Sequence, residues 1–326
     1  MRTGISPDVV SYAIAISACV MLSQPEEAAA LFDEMGEHGM PEAEQACNRQ
    51  VVLALAGGGR WRRAFSLLRD MRRSSKMEGS LACYNAVLGA CVDARELEKA
   101  WMTFRQIRRV GLEPSGRSYA LVLRALAAAG KWKQAVALLG EMRAAGAPRT
   151  ERTFAAALKA CARAENSGAS LEVLREMRRE GIKPDAYSYN SVIMSCEKSA
   201  QWEVALSLLR EMSETGVQAN SVSYNSCLAV LAGAGEWERA SALLEEMPSA
   251  SGGRVRADLK SHASVVTACA KAGAWEAALD VVRSMWAEGV APPDAKVFVA
   301  VFEALEDAGR GVDEALALVR ETTQGC

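Results

Sequence analysis

Histidine is almost missing from this chain, which has two, His38 and His262, in 326 residues. General-base catalysis and imidazole-rich metal sites therefore have little to build on. The nine cysteines contain no C-x-x-C pair and form no dense framework of the small secreted kind, which favours a reducing compartment. No run of 18 or more apolar residues occurs, so no segment is long enough to span a bilayer as a helix. A surplus of one charge is missing as well. The 38 Lys and Arg offset 40 Asp and Glu to a formal −2, so any affinity for a polyanion must come from local placement. No cluster of acidic metal ligands and no nucleophile beside a base is visible, and neither is an H-x-E with a C-x-x-C. That speaks against an enzyme and gives no reason to expect a cofactor or metal.

What is present is repetition. Met35, Met71, Met142, Met177, Met212, Met247 and Met285, with Ile107 in the gap, recur at steps of 35 or 36 residues, the last step being 38. Tyr12, Tyr84, Tyr119, Phe154, Tyr189, Tyr224 and Phe298 keep the same beat, with Cys47 or Asn48 and His262 in the two remaining slots. Two residue types in one register are a strong signature of tandem units.

The clearest unit reads SYNSVIMSCEKSAQWEVALSLLREM. Tyr189, Val192, Ile193 and Cys196 fall at the i, i+3, i+4, i+7 spacing of one helical face, and after Glu197 to Gln201 a second face follows with Trp202, Ala205, Leu209 and Met212. Small residues recur on the second helix at Ala28, Ala64, Ala100, Ala135, Ala205, Ala240 and Ala278, with Ser170 the exception. Glycines at 39, 111, 146, 181, 216 and 289 stop the second helix, and Pro-Asp or a degraded version follows at Pro7, Pro114, Pro184 and Pro293. The expected fold is all-α, a right-handed α-solenoid (superhelix) of about nine helix-turn-helix repeats. Their expected bounds are 9–43, 44–80, 81–115, 116–150, 151–185, 186–220, 221–258, 259–294 and 295–326. The segment from Pro248 to Asp258 is expected as an extended surface loop, and the second repeat is out of phase near Gly57 to Gly59.

A period of 35 with Tyr-Asn opening the first helix, Ala and Met in the second and Gly181-Ile182-Lys183-Pro184-Asp185 at the close resembles the pentatricopeptide repeat family. The resemblance covers nearly the whole chain. It implies a single-stranded RNA partner, read one base per repeat by the residue after the aromatic and the last residue of the same repeat. On that pattern the readers are Asn85 with Ser115, Asn190 with Asn220, and Asn225 with Asp258, preferring cytosine, a pyrimidine and uracil respectively. Ala13, Ala120, Ala155, Ala263 and Val299 stand in the reader slot elsewhere and offer no side-chain hydrogen bond. The family also clamps each base with the residue three before the reader, here Ala82, Arg117, Arg152, Tyr187, Val222 and Lys260. Arg163, Lys198 and Lys271, near the ends of first helices, are candidates for phosphate.

Each feature also has a structural reading. The asparagines could cap or stabilise helix starts. Cys19, Cys91, Cys161, Cys196 and Cys269 share one slot, one per stacked unit, which suits small buried residues and not a zinc site with ligands about 2.3 Å from one ion. The basic run Arg60 to Arg73 lies on a second helix and is expected to be a solvated outer face. The function expected from the resemblance is a sequence-selective RNA-binding adaptor acting in organellar (chloroplast or mitochondrial) RNA processing, stability, editing or translation, with catalysis supplied by protein partners and no membrane contact. The alternative is a protein-binding scaffold. Residues 1–8 are expected to be the tail of a preceding repeat. Unfolding is expected to be uneven, with weak points at Gly57 to Gly59, Ser170, and Ser249 to Gly253.

Overall fold

The structure, a computed structural model, describes residues 8–38, 41–73, 80–250, 252–287 and 295–307. Among them every regular element is an α-helix, seventeen in all, and two compact units divide the chain at Ala157 and Leu158. Unit 1 holds α1 (Val9–Met21), α2 (Pro25–Glu37), α3 (Pro41–Gly57), α4 (Trp61–Arg73), α5 (Leu81–Asp93), α6 (Leu97–Arg109), α7 (Gly116–Ala128) and α8 (Trp132–Ala144). The division falls within α9 (Glu151–Arg163). Unit 2 continues with α10 (Ser167–Arg179), α11 (Ala186–Ser195), α12 (Trp202–Glu214), α13 (Ser221–Ala234), α14 (Trp237–Ala250), α15 (Leu259–Ala272), α16 (Trp275–Ala287) and α17 (Ala295–Asp307).

Local chemistry sets these limits. Asp8, Ser115, Asp185, Asn220 and Asp258 each stand just before a first helix and accept from the backbone N–H three residues on, a cap that contributes about 1 kcal/mol. At the far end of α10 the chain turns through Gly181 at φ +73°. The Ile182 N–H donates to the Met177 carbonyl at 3.1 Å and the Gly181 N–H to Arg178 at 2.9 Å, the hydrogen-bond pair that closes a helix on a left-handed residue.

Packing repeats with the sequence. In each unit a first helix contacts its own second helix and the next first helix, and the second helix lies against both, so each unit is a two-layered α-solenoid segment. Met35, Ile107, Met142, Met177, Met212, Met247 and Met285 are fully buried, as are the seven small alanines of the second helices. Such residues let helix axes approach closely and fill the gap that remains. Polar staples tie successive repeats at the layer edge. In unit 1 Arg108 donates to the Tyr119 hydroxyl at 3.0 Å and to Glu141 at 2.7 Å. Arg178, Tyr189 and Glu211 repeat the arrangement in unit 2, with the Tyr189 hydroxyl donating to Glu211 at 3.1 Å.

Two expectations need correction. The segment from Pro248 is not wholly a loop, because α14 runs on through Pro248 and Ser249 to Ala250. Pro248 lies in the last turn of α14 and brings no backbone N–H to it. The second repeat begins before its expected bound at 44, because its first helix α3 starts at Pro41 and reaches 17 residues where α5 has 13. The expectations on residues 1–7, Gly39, Gly289 and the Pro293 turn lie outside the described residues. The basic run behaves as an outer face. Arg60, just before α4, pairs with Glu26 of α2, and Arg63 on α4 pairs with Glu26 and Asp33.

Candidate nucleic-acid interface

The three polar pairs of the sequence meet in space. Asn85 Nδ2 donates to Ser115 Oγ at 3.4 Å, Asn190 Nδ2 to Asn220 Oδ1 at 3.3 Å, and Asn225 Nδ2 to both carboxylate oxygens of Asp258 at 3.3 and 3.2 Å. Each asparagine lies inside a first helix, one residue past a buried aromatic, and is itself buried. The structural reading of these asparagines as caps is therefore overturned. The caps are their partners Ser115, Asn220 and Asp258, which stand at the start of the next first helix. A single residue thus ends one helical pair, caps the next and holds the asparagine of the first.

Capping fixes the polarity of each pair. Asn220 Oδ1 accepts from the Ser223 N–H at 3.1 Å and from the Ser223 hydroxyl at 3.2 Å, so the group of Asn190 facing it has to be the NH2. Asn190 Oδ1 is buried and without a hydrogen-bond partner. At Asp258 burial opposes ionisation. The hydrogen bonds from the Ser261 backbone, the Ser261 hydroxyl and Asn225 outweigh it and hold the carboxyl below its ordinary range.

One cleft collects half of the expected residues of unit 2. A cavity of about 510 Å³ is lined by Lys159, Ala162, Arg163, Tyr187, Asn190, Ser191, Met194, Asn220 and Val222. Tyr187 is 45% exposed and Val222 50%, an unusual exposure for large apolar side chains and one that leaves two faces open on either side of the Asn190–Asn220 pair. Lys159 and Met194 were missed by the sequence reading, although they lie seven residues past Arg152 and Tyr187 on the same helical face. Other expected residues lie elsewhere. Lys260, Arg117 and Arg152 are exposed on first helices outside this cleft. Lys198 sits in the turn after α11 and pairs with Glu165 at 2.9 Å, and Lys271 donates to the Gly233 carbonyl at 3.1 Å. Neither is an uncommitted cation.

The shared cysteine slot is a packing position. Cys91, Cys161, Cys196 and Cys269 are fully buried, and burial pushes the Cys91, Cys161 and Cys269 thiols up to about 11. No group of three metal-ligating side chains gathers among the described residues.

Residues 145–314 match the family model described as the pentacotripeptide-repeat region of PRORP, residues 66–127 match a pentatricopeptide repeat domain, and residues 10–40 and 117–146 match the single PPR repeat. The chain belongs to the pentatricopeptide repeat family. Several solved structures are similar to it. Pentatricopeptide repeat protein PPR10 from maize is 19% identical with a TM-score of 0.49, over 98% of this chain and 54% of that one. The PPR domain of Arabidopsis thaliana protein-only RNase P 1, in complex with tRNA, is 18% identical with a TM-score of 0.49, over 55% of this chain and 94% of that one. Yeast Rmd9p in complex with a 16-nt target RNA is 13% identical with a TM-score of 0.40, over 92% of this chain and 63% of that one. This pentatricopeptide repeat chain thus spans about half the length of the PPR10 chain, 54% of it. No curated protein sequence matches.

Proposed function

We propose that this pentatricopeptide repeat chain binds single-stranded RNA in register with its repeats, reading bases at the three asparagine pairs and serving as an adaptor in organellar RNA metabolism. The observation that carries the reading is the cleft of about 510 Å³ at Asn190, where two exposed apolar side chains flank a hydrogen-bonding pair and two cations stand at the rim. Stacking on side-chain faces, hydrogen bonds to the pairing edge and nearby positive charge are the three needs of single-strand recognition. The organellar role rests on membership of the family alone. Catalysis, on this reading, belongs to a recruited protein.

Polarity gives the base preferences a physical basis. Asp258 offers only acceptors and Asn225 offers an N–H, a match to the N3–H and carbonyl oxygen of uracil. Asn190 has a buried carbonyl oxygen that no protein group engages, beside the Asn220 amide; once a small turn of the side chain uncovers it, an acceptor beside a donor matches the amine and N3 of cytosine. The proposed preference in unit 2 is therefore a pyrimidine followed by uracil, with a separate cytosine site at Asn85 in unit 1.

The test is selection from a random single-stranded RNA pool at stated salt, comparing the wild-type chain with a variant carrying Ala at positions 85, 190 and 225. Enrichment of the pyrimidine-uracil step by the wild type alone is expected, with affinity falling as salt rises. Enriched RNAs lacking that step, or equal enrichment by the variant, would sink the base-reading assignment. Binding to a protein partner indifferent to RNA would favour a scaffold instead.

A further inference from the structure

Of the serines at the third position of a first helix, directly before its buried aromatic or histidine, three follow a repeat that carries an asparagine pair: Ser118, Ser223 and Ser261. All three are fully buried, and each completes a reciprocal capping box with Ser115, Asn220 or Asp258. As structural elements they are equivalent. Their hydroxyl protons are not used alike. Ser118 Oγ donates to Asn85 Oδ1 at 2.7 Å, and Ser261 Oγ donates to Asn225 Oδ1 at 2.6 Å. The Ser261 proton also has Asp258 Oδ1 in reach at 2.9 Å, the longer of its two contacts. Ser223 Oγ instead turns to Asn220 Oδ1 at 3.2 Å, and Asn190 Oδ1 has no partner.

We infer that the capping-box serine of the following helix is a third determinant of base choice, a positioning residue that acts through the asparagine. The inference rests on the base-reading proposal above. An amide side chain can turn over and exchange its donor and acceptor ends. At Asn225 the carboxylate of Asp258 holds the NH2 end, and the Ser261 hydroxyl holds the oxygen end from the opposite side. Both ends are pinned, so the polarity shown to a base is fixed. At Asn85 the oxygen end is pinned by Ser118, while the NH2 end meets Ser115 at 3.4 Å, a weaker contact with a hydroxyl that can donate or accept. At Asn190 only the NH2 end is held, and the oxygen end is buried with no group of the protein fixing it. The two adjacent sites of unit 2 therefore differ in more than Asp258 against Asn220. One has an amide with both ends taken by the protein, and the other an amide held at one end alone.

Ser223 is the internal control. Ser261→Ala and Ser223→Ala each remove one hydroxyl from one capping box, so both variants lose a similar part of the cap. Only Ser261→Ala releases an asparagine. The RNA enriched by the wild-type chain is placed with each of the four bases in turn opposite Asn225 and opposite Asn190, and affinities are measured at one salt concentration. Ser261→Ala is expected to lower the uracil-over-cytosine ratio opposite Asn225 by about two- to tenfold, the scale of one net hydrogen bond, and to leave the preference opposite Asn190 in place. Ser223→Ala is expected to leave both preferences in place. In the RNA-free chain, solvent exchange of the Asn225 side-chain amide protons, read by 15N NMR, is expected to quicken in Ser261→Ala and not in Ser223→Ala. If Ser261→Ala proves unfolded, Ser118→Ala makes the same test at Asn85. Equal loss of all bases in Ser261→Ala, unchanged amide exchange, or the same shift in Ser223→Ala would overturn the inference. If the wild-type chain discriminates no base, the RNA reading itself fails and takes the specificity role with it, while the amide exchange still reports the positioning separately.

Discussion

Replacing Ser170 with alanine is expected to stabilise the protein, a result opposite to that of most buried substitutions. Ser170 sits on α10 in the slot that Ala205, Ala240 and Ala278 occupy on the later second helices of unit 2, and like them it is fully buried. Its Oγ makes no hydrogen bond of ordinary geometry. The Cys161 thiol is the nearby polar group, with a lowering contribution from Ser170 to its pKa, and a thiol is a weak partner for a hydroxyl. A buried hydroxyl in that state costs about 1–3 kcal/mol. Removing the oxygen opens roughly 10 Å³, worth about 0.2 kcal/mol at 24 cal/mol per Å³, and alanine adds up to about 0.5 kcal/mol of helix propensity. The balance is a gain of about 1–3 kcal/mol. Since 1 kcal/mol moves the midpoint of a unit of this size by about 2–4 °C, the thermal transition that reports unit 2 should rise by several degrees. Urea unfolding and hydrogen exchange of the α10 amides measure the gain locally, which matters because a repeat array need not unfold in one step. The reciprocal change Ala205→Ser should cost a similar amount. An unchanged or lowered midpoint for Ser170→Ala would falsify the view that this hydroxyl is an uncompensated burden.

Each described turn between a first and a second helix passes through a left-handed residue, Gly235 at φ +76° in one and Ala200 at φ +48° in another. Relief of about 1–2 kcal/mol of left-handed strain, less about 0.5–1 kcal/mol of added chain entropy, predicts that Ala200→Gly raises the urea midpoint modestly, and a fall would count against it. The Asp258 carboxyl is held below its ordinary range. Its contribution is therefore fully present above the unfolded value near pH ~3.9 and disappears as pH falls through the lower folded value. Wild type and Asp258→Asn should differ by a constant amount from neutral pH to about pH 5, and the difference should shrink below about pH 4; a gap that widens on acidification would contradict the hydrogen bonding described. With thiols raised to about 11, Cys91, Cys161 and Cys269 should label at pH 8 only through opening of the fold, far more slowly than the half-buried Cys19. Labelling of all of them at one rate in the native chain would contradict that packing.

The fold was legible because one physical requirement recurs. A lone helical pair cannot bury its apolar side, so the positions that seal it must repeat, and Met177, Met212, Ala205 and Tyr189 do so at fixed spacing. Helix ends were legible where a special backbone conformation or a cap demands a residue type, as at Gly181 and Asp185. They were misread where a signal is ambiguous. Pro248 suggested an end to the helix, yet α14 carries it for two further residues. The start of α3 at Pro41 was hidden because no aromatic marks the slot at Cys47 or Asn48.

The polar pairs were legible only in part, for a reason that lies in the chemistry of the caps. Spacing says that Asn225 and Asp258 stand one repeat apart, but not which end of the amide faces the acid, and the donor pattern offered to a base depends on that end. The deciding signal was present in the sequence as a capping pattern, a short polar residue and a serine three positions on, at Asp8 and Ser11, Ser115 and Ser118, Asp185 and Ser188, Asn220 and Ser223, and Asp258 and Ser261. Read as helix punctuation it says nothing about ligands. Once the caps Ser115, Asn220 and Asp258 are seen to hold the asparagine of the repeat before them, folding and recognition share an atom: the oxygen of Asn220 that satisfies the Ser223 N–H also turns the Asn190 amide. On the proposed function a change of base preference at the last residue of a repeat is therefore also a change of helix cap. The residues free to vary there are the few that cap well, Ser, Asn and Asp among them, and these three offer a hydroxyl, an amide and an acceptor-only carboxylate to the asparagine opposite.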